Sequence, residues 1–364
     1  MHRLVRAIIV SAIIAASCSL ARADGDSQEP RTGPVLYAQY CRPCHGSELE
    51  GYAADNAPSL ASPTFRATAD DAFLRAAIAR GRAGTAMAGY SHSVGGPLTI
   101  IEVDELIAYL RAGTRPTQLV PRASTGNVAK GDRVYRAHCE RCHGTPEQRG
   151  NAVHLANAMF LDAASDAFLR VAIEQGRPGT PMEAWSGKLT TQEIEDVIAY
   201  LRSLARPVPP LLEVADLPPL DPATIVINPK GAPANFTLRE DRYVSVADLN
   251  KAYDEKRRLV IIDARPTSDY LRTHITGAIS IPHFDMRDLG KIPNDGTWIV
   301  AYCACPHHLS GVVFEELRKR GYAHSAVLDE GIFAWLQNGY TTTTARGQLP
   351  FPAPPSNAPA KPAQ

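Results

Sequence analysis

Two short segments carry residue types whose spacing can do chemistry: Cys41-Arg42-Pro43-Cys44-His45 and Cys139-Glu140-Arg141-Cys142-His143. Two thiols three residues apart at a helix start can reach both vinyl groups of one porphyrin, and the imidazole that follows then faces its iron. The pattern predicts covalent haem attachment through Cys41, Cys44, Cys139 and Cys142, with His45 and His143 as axial ligands. A structural zinc knuckle would need two more Cys or His at zinc spacing beside each motif, and none follow. A third grouping, Cys303 and Cys305 with His307 and His308, places two thiols and two imidazoles on one loop. Adjacent ligands on so short a loop rarely close a tetrahedral metal site, so thiol chemistry is the expectation there.

The elements that must position these groups are legible in an internal repeat. Residues 71–90 read DAFLRAAIARGRAGTAMAGY, and residues 166–185 read DAFLRVAIEQGRPGTPMEAW. Each cysteine motif is preceded by Gly at eight residues and Tyr at four, Gly33 with Tyr37 and Gly131 with Tyr135. Each copy closes with an amphipathic helix whose apolar residues fall at i, i+3, i+4 and i+7: Val103, Leu106, Ile107 and Leu110, then Ile194, Val197, Ile198 and Leu201. Thr99 with Glu102, and Thr190 with Glu193, form the Thr-x-x-Glu box that caps a first turn.

Together these features resemble the small class I cytochromes c. The resemblance covers residues 33–111 and 131–202, and implies all-α domains with two covalently bound haem c groups. It also implies a sixth iron ligand from a Met in the loop before the last helix, which falls on Met87 and Met182 in the same column of the repeat. Met159, His92, His138 and His154 are the rivals; Met159 corresponds to Thr64 in the first copy, and His92 and His154 have no histidine partner in the other copy. A proline carbonyl after the motif commonly orients the proximal imidazole in that family. Pro58 fits this role in the first copy, and Val153 stands in that column in the second.

Haem attachment of this kind takes place outside the cytoplasm. Arg3 and Arg6, the apolar residues 7–16 and the small-x-small Ala21-Arg22-Ala23 read as a signal peptide over residues 1–23. Localisation is expected in the periplasm or another extracytoplasmic space, with a lipoprotein anchored through Cys18 as the alternative. Of seven cysteines, cleavage would leave six, four for haem and the pair Cys303 and Cys305. With 38 basic and 38 acidic side chains, nothing argues for a nucleic-acid partner, and membrane attachment would have to come through Cys18.

The domain plan is a first haem domain over residues 30–114, a linker over 115–128, a second haem domain over 129–205, and a Pro-rich linker over 206–240. Alternating strands and helices then fill residues 241–345, with Leu259–Asp263 and Trp298–Tyr302 as buried parallel strands, and residues 346–364 form a Pro/Ala tail expected to be disordered. The order of Asp263-Ala264-Arg265, His274 to Pro282, a strand ending at Cys303, Asp329-Glu330-Gly331 and Trp335 resembles the rhodanese family. That resemblance implies an α/β domain with a mostly parallel sheet. It makes Cys303 the candidate nucleophile, able to hold sulfane sulfur as a persulfide, and Cys305 a candidate resolving thiol. His308 and Pro306 depart from the Arg and Gly common in the family's loop. Asp263 and Arg265 read as a structural pair, His274 as a packing or hydrogen-bonding residue, and Trp335 as core.

The fold class is thus multidomain: two all-α haem domains followed by an α/β domain. The expected function is electron transfer with redox partner proteins, with a rhodanese-like domain that handles sulfane sulfur from small sulfur compounds, or a redox-active dithiol, and passes electrons to the haems. The alternative is a plain dihaem carrier whose third domain is a catalytically inactive binding module.

Overall fold

The computed structural model describes residues 31–51, 56–208, 217–304 and 307–344. The signal segment with Cys18, Cys305, and the Pro/Ala tail lie outside the described residues.

In the first domain, α1 (Gly33–Leu36) runs through a π-helical turn (Tyr37–Cys41) into α2 (Arg42–His45), followed by α3 (Pro63–Thr68), α4 (Asp71–Arg80) and α5 (Ile100–Arg111). The second domain repeats the plan with α6 (Val128–His138), α7 (Glu140–His143), α8 (Ala158–Ala163), α9 (Asp166–Gln175) and α10 (Thr191–Ser203). Both predicted capping boxes are formed, each Thr side chain accepting from the N3 amide while the Glu reaches back. The eight apolar residues read from the closing helices are all buried. The first helix of each copy crosses the closing helix at a glycine. A Cβ on Gly33 would collide with the Glu105 carbonyl, and one on Gly131 with the Asp196 carbonyl, so no larger residue permits this approach.

The two copies pack through equivalent residues. Phe73 and Phe168 stack at 4.8 Å, Phe65 and Phe160 close edge-on around them, and Arg82 and Arg177 lie over the Phe73 and Phe168 rings at 5.2 and 4.9 Å. Asn157 donates to the Ala83 carbonyl at 2.9 Å, and Thr64 donates to that of Gly176 at 2.8 Å. Guanidinium over aromatic faces keeps favourable electrostatics where water is excluded.

The third domain holds β1 (Tyr243–Val244), α11 (Val246–Asp254), β2 (Leu259–Asp263), α12 (Thr267–Arg272), β3 (His274–Ile275), β4 (Ile279–Ser280), β5 (Trp298–Tyr302), α13 (His308–Lys319), β6 (Ser325–Leu328), α14 (Gly331–Gln337) and β7 (Thr342–Thr343). The main sheet is parallel in the order β1-β6-β5-β2-β4, and β3 pairs antiparallel with β7. All residues of β2 are buried because helices cover both faces, which is why its sequence is an unbroken apolar run.

Both connectors are more structured than their composition suggests. Thr117 donates its amide to Ala67 and Ser124 donates its own to Asp166, so the first strap is pinned to both helical domains. Within the second, the Ile227 amide bonds to the Leu259 carbonyl and Arg258 to that of Ala232, while Ile225, Ala234 and Phe236 are buried. Residues 225–236 therefore pack onto the third domain. Prolines punctuate this stretch, but its apolar side chains still complete the core.

Candidate functional site

Each cysteine motif sits where an N-terminal helix ends, held by the same contacts in both copies. Tyr37 donates its hydroxyl to the Gly46 carbonyl at 2.7 Å, and Tyr135 donates to that of Gly144 at 2.8 Å. His45 Nδ1 lies 3.0 Å from the Pro58 carbonyl, and His143 Nδ1 lies 2.7 Å from that of Val153. A carbonyl can only accept, so Nδ1 carries the proton in each ring and the Nε2 lone pair is left for a metal. The column that lost its proline still supplies its backbone oxygen. Burial lowers the pKa of both imidazoles, opposed by these bonds, and so favours the neutral ligating form.

The same burial pushes the Cys41 thiol up to about 12 and that of Cys139 up to about 11. Zinc is held by thiolates, which this environment disfavours. Among the described residues, no group of three or more His, Cys, Asp or Glu is placed to hold a metal ion. The pairing of thiols with a single oriented imidazole fits porphyrin attachment instead.

Met87 and Met182 each end a tight turn. The Arg82 amide donates to the Met87 carbonyl at 2.8 Å, Thr85 donates its hydroxyl to Arg82 at 2.7 Å, and the Met87 amide donates to that hydroxyl at 3.1 Å. Arg177, Thr180 and Met182 repeat all three bonds at 2.8, 2.7 and 3.1 Å. The rival ligands are placed otherwise. His92 is exposed, and exposed His138 lies against Trp185 at 5.2 Å. His154 Nε2 donates to the Thr145 carbonyl at 2.9 Å, and Met159 Sδ accepts from the Ala83 amide at 3.2 Å across the domain junction.

In the third domain, β5 leads directly into Cys303, which is 1% exposed with Sγ 3.3 Å from Ser310 Oγ on α13. Ser310 carried no signal in the sequence; only the first turns of α13 bring it there. Ile332 donates its amide to the Cys303 carbonyl at 3.0 Å. His307 caps α13 with φ of 72°, its Nε2 2.7 Å from Asp329 Oδ1 and its ring 4.2 Å from that of Tyr243. These contacts tie the end of the loop to β1 and to the residue after β6. Half-buried His308 opens α13. Asp263 and Arg265 form a buried two-pronged pair at 2.9 and 2.6 Å, His274 stacks on Tyr270 at 3.8 Å, and Trp335 is fully buried.

Nothing in the sequence indicated that the third domain touches the first. Ser268 donates to the Gly89 carbonyl at 2.6 Å, Arg272 to that of Arg80 at 3.2 Å, and Phe284 meets Tyr40 edge-on at 4.9 Å. Helix α13 packs on α2, and Ala86, beside Met87, packs against the third domain's core on both sides of its sheet.

Comparison with known proteins agrees with these two architectures. The family described as cytochrome c oxidase, cbb3-type, subunit III matches residues 28–110 and 126–201, and the rhodanese-like domain family matches residues 245–338. A cbb3-type cytochrome c oxidase subunit FixP from Bradyrhizobium diazoefficiens is 27% identical over 47% of this chain and 60% of its own length. A cytochrome bc1 complex cytochrome c subunit from Mycobacterium leprae is 27% identical over 54% of this chain and 68% of its own. The chain thus spans 60% of the length of the FixP subunit it matches. The crystal structure of the Alr3790 protein from Anabaena sp. is 25% identical over 28% of this chain and 93% of that one, with a TM-score of 0.27. The chain thus carries a helical cytochrome c region that matches the cbb3-type subunit III family in two stretches, followed by an α/β rhodanese-like domain.

Proposed function

We propose that the chain carries two haem c groups, one on Cys41 and Cys44 and one on Cys139 and Cys142, and works outside the cytoplasm as a dihaem carrier coupled to sulfur chemistry at Cys303. His45 and His143, through Nε2, and Met87 and Met182, through their thioether sulfurs, would hold the iron. The observation that carries this reading is the twofold occurrence of one arrangement: an imidazole pinned through Nδ1, a tyrosine closing the turn behind it, and a methionine on a threonine-clamped turn. Haem c, when bound, supplies a one-electron store, and two per chain match a two-electron reaction of sulfur.

Cys303 is the nucleophile in this reading, at a strand end where the positive end of α13 favours its thiolate. Joined to thiosulfate, the thiolate would form one S–S bond with no proton moved, and haem, when bound in its ferric form, would be the oxidant that takes the two electrons released. Cys305, two residues on, is the resolving thiol. Stopped-flow reduction by thiosulfate, polysulfide or persulfide tests the coupling in the unsubstituted protein and in Cys303→Ser. Reduction that requires Cys303 is expected. Its absence with all three donors would leave a dihaem carrier with a binding module, the reading that the burial of Cys303 favours.

A further inference from the structure

We infer that the Cys303 site is coupled to the first haem domain and not to the second, an inference that rests on the sulfur-coupled reading above. The duplication provides an internal control, because each residue around one methionine turn has a counterpart around the other. After Met87, residues Ala88, Gly89, Tyr90 and Ser91 are all buried. In the same columns after Met182, Glu183, Ala184 and Ser186 are exposed and Trp185 is half-buried. Before the methionine, Ala86 is half-buried against the third domain, whereas its counterpart Pro181 is exposed.

The difference lies where the third domain sits. Ser268 bonds the Gly89 carbonyl, and a Cβ on Gly95 would come within 2.9 Å of the Leu271 side chain, so α12 rests on the methionine side of the first copy. On the attachment side, Phe284 packs on Tyr40, the residue before Cys41, and α13 packs on α2. The helix that follows the Cys303 loop is therefore the one lying against the first attachment motif. Both ends of the first haem site meet the third domain through packed side chains and backbone. The chemistry is the S–S bond formation above: Cys303 thiolate and thiosulfate would give an S-thiosulfonate and two electrons, both entering through the first haem domain, one of them passing on to the second, with bound ferric haem as the oxidant.

The test compares Ala86→Glu with Pro181→Glu in the full holoprotein, with Ser268→Glu as a second disruption placed on the third domain. Rapid mixing with thiosulfate should show Cys303-dependent haem reduction at least tenfold slower in Ala86→Glu and Ser268→Glu, and within twofold of the unsubstituted rate in Pro181→Glu. A redox titration supplies a readout independent of turnover. Loading Cys303 with its sulfur adduct should shift one of the two midpoint potentials, and the shift should disappear in Ala86→Glu but persist in Pro181→Glu. Equal slowing in Ala86→Glu and Pro181→Glu, or slowing only in Pro181→Glu, would overturn the inference while leaving sulfur coupling intact. No Cys303-dependent reduction in the unsubstituted protein would instead overturn the sulfur-coupled reading, and the inference with it.

Discussion

His143 gives its Nδ1 proton to the backbone carbonyl of Val153 across 2.7 Å, in the column where the first copy uses Pro58. What orients the imidazole is thus an oxygen that every residue possesses, and the side chain at that column is free to vary. Val153→Ala should retain both haems and the visible spectrum. His143→Ala should lose one of two haem equivalents per chain, measured as pyridine haemochrome per protein.

The close crossings at Gly33 and Gly131 leave no room for a methyl group, since the obstacle at each is a helix carbonyl and not a movable side-chain end. Gly131→Ala should destabilise the second domain by about 2 kcal/mol, within the usual cost of overpacking. Thermal unfolding followed at a haem band would show the loss.

The stacked pair Phe73 and Phe168 joins the two helical domains, with the Arg82 and Arg177 guanidinia over its faces. Truncating one ring removes buried area from both domains and uncovers a cation. Phe168→Ala should cost about 3 kcal/mol, as large aromatic truncations do. Calorimetry should show a single haem-domain transition separating into two.

Within the third domain, burial pushes the Asp269 carboxyl up to about 6, with Arg265 partly offsetting the shift from 3.9 Å away. Its folded pKa lies above the ordinary 3.8, so the folded state binds the proton more tightly than the unfolded chain does. Stability from this group is full below pH 4 and falls as pH rises through 6, by on the order of 3 kcal/mol. Asp269→Asn should flatten that slope in denaturant unfolding of the full chain between pH 4 and 6.

Removing one member of the Asp263 and Arg265 pair leaves the other as an uncompensated buried charge. Arg265→Met should cost about 3 to 5 kcal/mol, while the two haem domains keep their spectra. Far-ultraviolet circular dichroism during urea unfolding, compared with haem absorbance, separates the two effects.

Much of this molecule is written locally. The two Cys-x-x-Cys-His segments, the repeat that aligns Met87 with Met182, the capping boxes at Thr99 and Thr190, and the apolar runs of β2 and β5 each rest on spacing along one element, where period and turn chemistry suffice. The Val153 carbonyl was illegible because a backbone acceptor has no residue signature. Residues 225–238 read as linker because prolines mask apolar side chains that find their partners only in the assembled core. Ser310 beside Cys303, the paired phenylalanines between the haem domains, and the seating of α12 and α13 on the first haem domain depend on surfaces brought together across more than a hundred residues in some cases, as with Ser268 and Gly89. Sequence alone singled out the candidate groups for holding haem and the candidate thiol for sulfur chemistry. The tertiary structure decided which helical domain α12 and α13 lie against, because packing between domains is set by the shape of whole surfaces and not by the period of any one segment.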